Sequence, residues 1–184
     1  MELLRPYQSA AVKAVYNHLR TKDTNPCVVI PCGCGKSHVI AKIATDAAQL
    51  WNGRVLVLAH VKELLEQNAD KISRLCPELK VGIYSAGLNS RDTEENVIVA
   101  GIQSVYDKAC ELGPFDILMI DECHLLNSTS EDSMYKYLLK DMKVINPNVR
   151  LIGLTATPFR LKGGLICKPE NLLNEICYEA GLKE

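Results

Sequence analysis

The chain has 184 residues, of which 47% are hydrophobic and 23% are charged, a balance typical of globular proteins. A formal net charge of −1 does not by itself indicate a nucleic-acid-binding protein, although a local basic surface is compatible with that total. No apolar run approaches the length of about 18 residues needed to span a bilayer, and the N-terminal segment does not resemble a signal peptide. These features predict one domain that works in the cytoplasm without a membrane partner.

The eight cysteines contain no Cys-x-x-Cys pair, so we expect free thiols rather than a disulfide framework. A zinc site that includes Cys167 and Cys177 is the alternative, but their spacing matches no established ligand pattern. The cysteine pattern therefore does not predict a metal centre.

The first predicted helix covers residues 6–20, where Pro6 suits a first helical turn and apolar residues share one face. Gln8 lies in this first turn. Its carboxamide can donate to and accept from the edge of adenine, a pairing that guanine does not offer. Taken from the helix alone, a solvated first-turn side chain is the simpler interpretation of Gln8.

A strand, a glycine-bearing loop and a helix follow in that order. The apolar run 27–30 predicts a buried parallel strand, and apolar residues from Val39 onwards have helical spacing. The loop between them reads Pro31-Cys32-Gly33-Cys34-Gly35-Lys36-Ser37-His38. In this arrangement the loop amides and the positive end of the helix dipole surround one point, where an anionic phosphate would bind.

The residue types of this loop suit a nucleotide. Gly33 and Gly35 allow the backbone to approach a ligand closely, Lys36 supplies a charge for the β- and γ-phosphates, and Ser37 offers a hydroxyl to Mg²⁺. The usual phosphate-loop pattern has glycine where this chain has Ile30. An ordinary strand-to-helix turn is the alternative interpretation.

The remaining elements continue the alternation of strands and helices. Helices are predicted from His60 to before Pro77, from 101 to about 110, and after a capping box made by Ser128 and Glu131. Strands are predicted at residues 54–59, 81–84, 97–100, 115–120 and 150–154. This rhythm predicts an α/β fold with a mainly parallel sheet and helices on both faces. Ligands of such folds bind beyond the carboxyl ends of the strands.

An acidic pair follows the fifth strand at that edge of the sheet. If the backbone is still extended there, Asp121 and Glu122 point in opposite directions and can have different roles. We assign Asp121 to Mg²⁺ through water, because hard cations take oxygen ligands. Glu122 would orient and deprotonate the water that attacks the γ-phosphate. The alternative is a solvated loop or a charge at a helix N-terminus.

His124 and two threonines complete the polar groups at the strand ends. His124 can be interpreted as a metal ligand or a general base, but a hydrogen-bonding role between the nucleotide site and its neighbours is simpler. Thr155 and Thr157, which follow the sixth strand, are its expected partners. Packing of β-branched side chains at the strand end is the alternative for both threonines.

The sequence resembles superfamily 2 helicases and translocases of the DEAD/DEAH-box-like class, nearest to bacterial or phage DNA repair helicases and restriction-enzyme motor subunits. The resemblance covers residues 3 to about 160. The fragments that carry it are Leu3-Leu4-Arg5-Pro6-Tyr7-Gln8, Pro31 to Ser37, Ala59-His60 with Glu63 to Gln67, Gln103-Ser104, Asp121-Glu122-Cys123-His124, and Leu154-Thr155-Ala156-Thr157-Pro158.

This resemblance implies a RecA-like P-loop domain that uses ATP and Mg²⁺. Gln8 would select adenine, Ser37 and Asp121 would hold the metal, and His124, Thr155 and Thr157 would couple hydrolysis to movement. The implied catalytic residues are Lys36, Asp121 and Glu122. The implied nucleotide-binding residues are Arg5, Gln8, Pro31, Cys32, Gly33, Cys34, Gly35, Lys36, Ser37 and His38.

The resemblance also implies a nucleic-acid partner, with DNA favoured and RNA as the alternative, contacted by the loops around 60–63, 85–87 and 101–104. The implied contact residues are His60, Lys62, Gln103 and Ser104. Relatives of this kind carry a second RecA-like domain, so residues 1–160 are expected to form the ATP-binding domain and 161–184 a tail leading towards that second domain. The isolated chain is therefore expected to hydrolyse ATP slowly or not at all. A nucleotide switch or regulatory module without translocation is the alternative function.

Cys32 and Cys34 lie beside Lys36 and a predicted helix N-terminus, surroundings that make a thiol reactive. Alkylation at these positions is expected to block nucleotide binding. Small buried side chains that only fill space are an equally good interpretation of both cysteines.

Overall fold

The computed structural model describes residues 4–127, 131–160 and 164–181. Within these ranges the chain alternates between helices and strands, as the sequence predicts. The helices are α1 (Pro6–Thr21), α2 (Lys36–Leu50), α3 (Lys62–Leu75), α4 (Ile102–Val105), α5 (Ala109–Leu112) and α6 (Glu131–Ile145). The strands are β1 (Pro26–Val29), β2 (Val55–Ala59), β3 (Val81–Ser85), β4 (Ser90–Arg91), β5 (Val97–Gly101), β6 (Ile117–Asp121), β7 (Arg150–Thr155), β8 (Phe159–Arg160), β9 (Gly164–Leu165) and β10 (Glu175–Glu179).

Eight strands form one sheet in the order β10-β1-β7-β6-β2-β5-β3-β4. All neighbouring strands are parallel except the two-residue edge strand β4, which pairs antiparallel with β3. Strands β8 and β9 form a separate antiparallel pair. The predicted mainly parallel α/β fold is therefore confirmed.

The sheet is covered on both faces, so each strand contributes to two hydrophobic cores. Along β2, Val55, Val57 and Ala59 pack with α1, α2 and α3, whereas Leu56 and Leu58 pack with α4, α5 and α6. This alternation follows from the opposite orientation of successive side chains in a strand. A strand buried on both faces needs apolar residues at every position, which explains the continuous apolar runs in the sequence.

Three segments differ from the sequence-based expectation. The single helix predicted from 101 to about 110 is two short helices, α4 and α5, because the backbone at Lys108 leaves the helical region with φ −111° and ψ 19°. The segment between the strands predicted at 81–84 and 97–100, for which no strand is predicted, contains β4. The predicted tail contains β10, which extends the sheet beside β1.

The capping residue expected at Ser128 lies outside the described residues, and α6 begins at Glu131. None of the helices in the described ranges combines the length and apolar character required to cross a membrane.

Candidate functional site

The loop between β1 and α2 has the backbone shape expected of a phosphate-binding loop. Gly33 and Gly35 have positive φ angles of 74° and 81°, and Gly35 directly precedes α2. A Cβ atom at Gly35 would collide with the side chain of Gln8, whereas a Cβ atom at Gly33 would meet nothing within 4 Å. The positive φ favours glycine at both positions, a Cβ atom at 35 would in addition displace the Gln8 side chain, and the backbone at Gly33 borders open space. The His38 N–H donates to the Gly35 carbonyl oxygen at 3.0 Å, and the N–H groups of Lys36 and Ser37 precede the first intrahelical bonds of α2.

The start of α1 holds this loop from the side of the N-terminus. The Tyr7 hydroxyl and the Gln8 amide nitrogen both donate to the Cys34 carbonyl oxygen, at 2.8 and 3.1 Å. Gln8 Oε1 accepts a hydrogen bond from the Arg5 backbone N–H at 2.9 Å. Both polar atoms of the Gln8 amide are therefore used within the protein, and its contact with adenine stays a prediction.

The acidic pair lies opposite the loop. Lys36 Nζ is 3.1 Å from Glu122 Oε1, and only 9% of Lys36 and 19% of Glu122 side-chain surface is exposed. The expectation that Asp121 and Glu122 point in opposite directions is wrong, because the backbone stops being extended at Glu122, where φ is 53°. Both carboxylates line one cavity with Lys36.

This cavity, here called the loop cavity, has a volume of about 250 Å³. Its walls come from the loop, from the acidic pair and from α3. The lining residues are Cys32, Gly33, Gly35, Lys36, Ser37, His38, Leu64, Gln67, Lys71, Asp121 and Glu122. Sequence reasoning missed the contribution of α3, although Leu64, Gln67 and Lys71 have the spacing of one helical face.

Asp121 is the most deeply buried acid of the site, with 4% of its surface exposed. Its Oδ2 accepts a hydrogen bond from Asn68 Nδ2 at 2.9 Å, and its Oδ1 accepts one from the Glu122 backbone N–H at 3.0 Å. Burial raises the pKa of the Asp121 carboxyl, because desolvation disfavours the charged form. A nearby cation would offset that cost.

The donors in the loop cavity fit Mg²⁺ better than a softer metal. Ser37 and Asp121 offer a hydroxyl and a carboxylate on the same cavity, and hard cations prefer oxygen ligands. Within the described ranges, no group of three or more His, Cys, Asp or Glu residues is arranged to hold a metal ion. Mg²⁺ would therefore take its remaining ligands from water and phosphate, as it commonly does. The same finding gives the zinc alternative at Cys167 and Cys177 no support.

His124 and the two threonines continue the polar contacts away from Lys36. Glu122 Oε2 is 3.3 Å from His124 Nδ1, and that nitrogen is 2.9 Å from Thr155 Oγ1. Thr155 Oγ1 in turn accepts a hydrogen bond from the Thr157 backbone N–H at 3.1 Å. The structure thus brings the three predicted coupling residues together in one connected path that reaches Lys36 through Glu122.

The predicted nucleic-acid-contacting residues form a second group at the carboxyl ends of β2, β3 and β5, which are neighbours in the sheet. Gln103 Nε2 donates to the His60 carbonyl oxygen at 3.4 Å, and Ser104 Oγ accepts from the Ala86 backbone N–H at 3.0 Å. Lys62 and Gln103 are exposed. The three predicted loops therefore share one surface, and their contact with a nucleic acid stays a prediction.

The cysteines of the loop are accessible rather than buried. Cys32 is exposed and Cys34 is half-buried, and all eight cysteines of the chain are free thiols. The interpretation as a buried filler is therefore wrong for Cys32, whereas Cys34 packs partly against the hydrophobic core. Elsewhere, the buried Sγ atoms of Cys27 and Cys123 lie 3.7 Å apart behind the acidic pair.

Comparison with known proteins shows the family to which the chain belongs. Residues 2–160 match the model of the family described as "Type III restriction enzyme, res subunit". The chain is 27% identical over 176 residues to the mouse protein "ATP-dependent RNA helicase DHX58", covering 84% of this chain and 25% of that protein. It is 25% identical over 146 residues to "ATP-dependent DNA helicase Hel308" of Methanocella arvoryzae, covering 72% of this chain and 20% of that protein.

Solved structures share the fold. The helicase domain of Pyrococcus furiosus Hef superposes with a TM-score of 0.71 at 26% identity, covering 95% of this chain and 38% of that one. The Type ISP restriction-modification enzyme LlaGI, solved with a DNA substrate mimic, also gives a TM-score of 0.71, at 18% identity, covering 98% of this chain and 20% of that one. The matched regions make up 25% of DHX58 and 20% of Hel308, so the chain spans about a quarter or less of the length of these curated relatives.

Proposed function

Because this chain belongs to the family of type III restriction enzyme res subunits and forms the N-terminal RecA-like domain of a superfamily 2 helicase, we propose that it is the ATP-binding half of a motor that moves on nucleic acid. The observation that carries this proposal is the loop cavity, where Lys36, Ser37, Asp121 and Glu122 meet in a space of about 250 Å³. That volume suits the phosphates of a nucleotide, with the base lying outside the cavity.

Each residue of the cavity would have a separate role in ATP hydrolysis. The loop from Pro31 to His38 would bind the phosphates, and Lys36 would exchange its contact with Glu122 for the oxygens of the β- and γ-phosphates. Ser37 and Asp121 would hold Mg²⁺, which supplies neutralisation of phosphate charge when bound. Glu122, released from Lys36, would orient the attacking water and accept its proton.

The base would lie towards the start of α1. Arg5 and Gln8 are there, and Tyr7 and Gln8 already contact the loop through Cys34. We propose that Gln8 reads adenine by exchanging one of its present hydrogen bonds for the base.

Hydrolysis would be coupled to movement through the path from Glu122 to His124, Thr155 and Thr157. A change of charge at Glu122 would act on His124, whose Nδ1 lies 3.3 Å from Glu122 Oε2. The contact of the same nitrogen with Thr155 Oγ1 would pass that change to the strand end.

The proposed partner is nucleic acid, DNA rather than RNA, bound at the surface that carries His60, Lys62, Gln103 and Ser104. Support for DNA comes from the DNA substrate mimic in the LlaGI structure and from the DNA helicase Hel308, although DHX58 is an RNA helicase. A second RecA-like domain would supply an arginine to the γ-phosphate, a contribution worth on the order of 10³–10⁵ in rate. Such a motor would work in the cytoplasm, and this chain alone would turn over ATP slowly.

The proposal is tested by replacing the cation of the loop. Lys36→Ala is expected to abolish ATP binding measured by titration calorimetry, because the phosphates lose their closest positive charge. The matched control is Lys42→Ala on the same helix, where Lys42 pairs with Asp46 at 2.8 Å away from the loop cavity. Unchanged ATP affinity in Lys36→Ala would refute the assignment of the loop.

A further inference from the structure

One face of α3 is turned towards the nucleotide site. Leu64, Gln67 and Lys71 line the loop cavity, and Asn68 lies between them on the same face, because residues three and four apart are neighbours on a helix. Gln67 is exposed, whereas only 1% of the surface of Asn68 is exposed. Asn68 is therefore the buried polar residue of this face.

Asn68 makes a direct contact with the proposed metal-binding acid. Its Nδ2 donates to Asp121 Oδ2 at 2.9 Å, and the reverse orientation of the amide would set two oxygens against each other. Asp121 Oδ1 is already held by the Glu122 backbone N–H at 3.0 Å. With a donor on each oxygen, the plane of the Asp121 carboxylate is fixed in one orientation.

The burial of Asn68 limits which side chains could replace it at this contact. Asn68 Oδ1 is fully buried and accepts no hydrogen bond from the residues that the structure describes. An apolar side chain of similar size at this position would leave the buried Asp121 Oδ2 without this donor, and an unpaired buried acceptor lowers stability. The Asn68 amide is therefore the group that pairs this oxygen of the buried acid.

We propose that Asn68 is a positioning residue of the nucleotide site, which orients Asp121 for Mg²⁺ bound with ATP. Mg²⁺ demands near-ideal octahedral geometry, so a carboxylate free to rotate binds it less well. Outer residues that hydrogen-bond to metal ligands commonly change metal affinity by about 10- to 100-fold when replaced. This inference rests on the proposed function of the loop cavity.

The test compares ATP affinity with Mg²⁺ and with EDTA in the same chain, by titration calorimetry. Asn68→Leu removes the donor while keeping the volume, and Asn68→Ser keeps a polar group that is too short to reach Asp121. In both variants the gain in ATP affinity on adding Mg²⁺ is expected to fall about 10- to 100-fold, while the affinity in EDTA stays unchanged. The Ser variant gives the answer if the Leu variant does not fold.

The matched control is Asn146→Leu, which removes a structural amide that donates to the Phe115 carbonyl oxygen at 2.8 Å. Its Mg²⁺-dependent gain is expected to equal that of the unaltered chain, even if its thermal unfolding temperature falls. A full Mg²⁺-dependent gain in the Asn68 variants would overturn the inference and leave the proposed function standing. Equal losses with Mg²⁺ and with EDTA would also overturn it, since they indicate a structural role. An unaltered chain that binds no ATP would overturn both proposals.

Discussion

The amine of Lys36 and the carboxylate of Glu122 are partners in the loop cavity, 3.1 Å apart. A partly buried ion pair offsets the desolvation of both groups, so neither is an uncompensated charge. A triphosphate competes with Glu122 for Lys36, because both are anionic. In the proposed mechanism, binding of the nucleotide would therefore free Glu122 at the moment when the attacking water needs a base.

Glu122→Gln separates binding from hydrolysis. The neutral amide competes less strongly for Lys36, so ATP affinity measured by titration calorimetry is expected to be at least as high as in the unaltered chain. Loss of the base is expected to lower the hydrolysis rate of the complete motor by on the order of 10²–10⁴-fold, measured by phosphate release. Hydrolysis within tenfold of the unaltered motor would show that another group is the base.

Residues of the site differ in how readily the sequence reveals them. Lys36, Ser37, Asp121 and Glu122 belong to short local patterns whose residue types carry the chemistry. Asn68 belongs to no such pattern, because its contact with Asp121 depends on where α3 packs against the sheet. The orientation of Glu122 also could not be read from the chain, since its positive φ of 53° is an uncommon conformation for a side chain of this size.

At the scale of elements, Arg54 joins the segments that precede β2, β5 and β6. Its guanidinium lies over the Phe115 ring, 4.2 Å from the centroid, and donates to backbone carbonyl oxygens of Thr93, Glu95, Leu112 and Pro114. One planar group thereby pairs carbonyls from two separate loops. A point-charge ammonium cannot reproduce this fork of donors.

Arg54→Lys is therefore expected to lower the free energy of unfolding by about 1–3 kcal/mol, measured by urea denaturation. The control is Arg74→Lys on α3, where the exposed Arg74 pairs with Asp70 one turn away. Exposed pairs contribute little, so the control is expected to change by less than about 0.5 kcal/mol. Equal effects of the two substitutions would show that the geometry of Arg54 does not matter.

The elements of the sheet interior could be predicted, and those at its edges could not. Strands β1, β2, β5, β6 and β7 are buried on both faces and so appear as apolar runs. Strand β10 is half-buried along most of its length, and its first and last residues are glutamates, so its sequence does not distinguish it from a loop. Strand β4 has only two residues, too few for any periodicity.

At the scale of the whole molecule, β10 pairs with the side of β1 that does not face β7. Pro26 and Val29 pair with Glu175 and Glu179, so the strand that leads into the loop is interior to the sheet rather than at its edge. Lys22 adds a contact to Glu175 at 2.8 Å. The sheet thus continues past residue 160, the boundary predicted for the ATP-binding domain, and that boundary stays a prediction.

Ending the chain at residue 160 tests the importance of β10. The truncated chain is expected to unfold at lower temperature and to aggregate, because β1 then presents an unpaired edge, as measured by thermal unfolding with light scattering. A chain ended at residue 181 keeps β10 and serves as the control. A chain of residues 1–160 that stays monomeric and binds ATP normally would show that β10 is dispensable.

The position of β1 also has a consequence for synthesis of the protein. Both neighbours of β1 lie more than 120 residues further along the sequence, at Gly153–Thr155 and Glu175–Glu179, and the hydrogen bond from the Asn25 N–H to Asn174 beside this pairing spans 149 residues. Contacts between such distant residues form late, because the intervening chain must first be ordered. On the ribosome the Pro31–His38 loop, although made early, will reach its final geometry only after β7 and β10 have emerged. We therefore expect nucleotide binding to appear only after residues 150–179 have been synthesised.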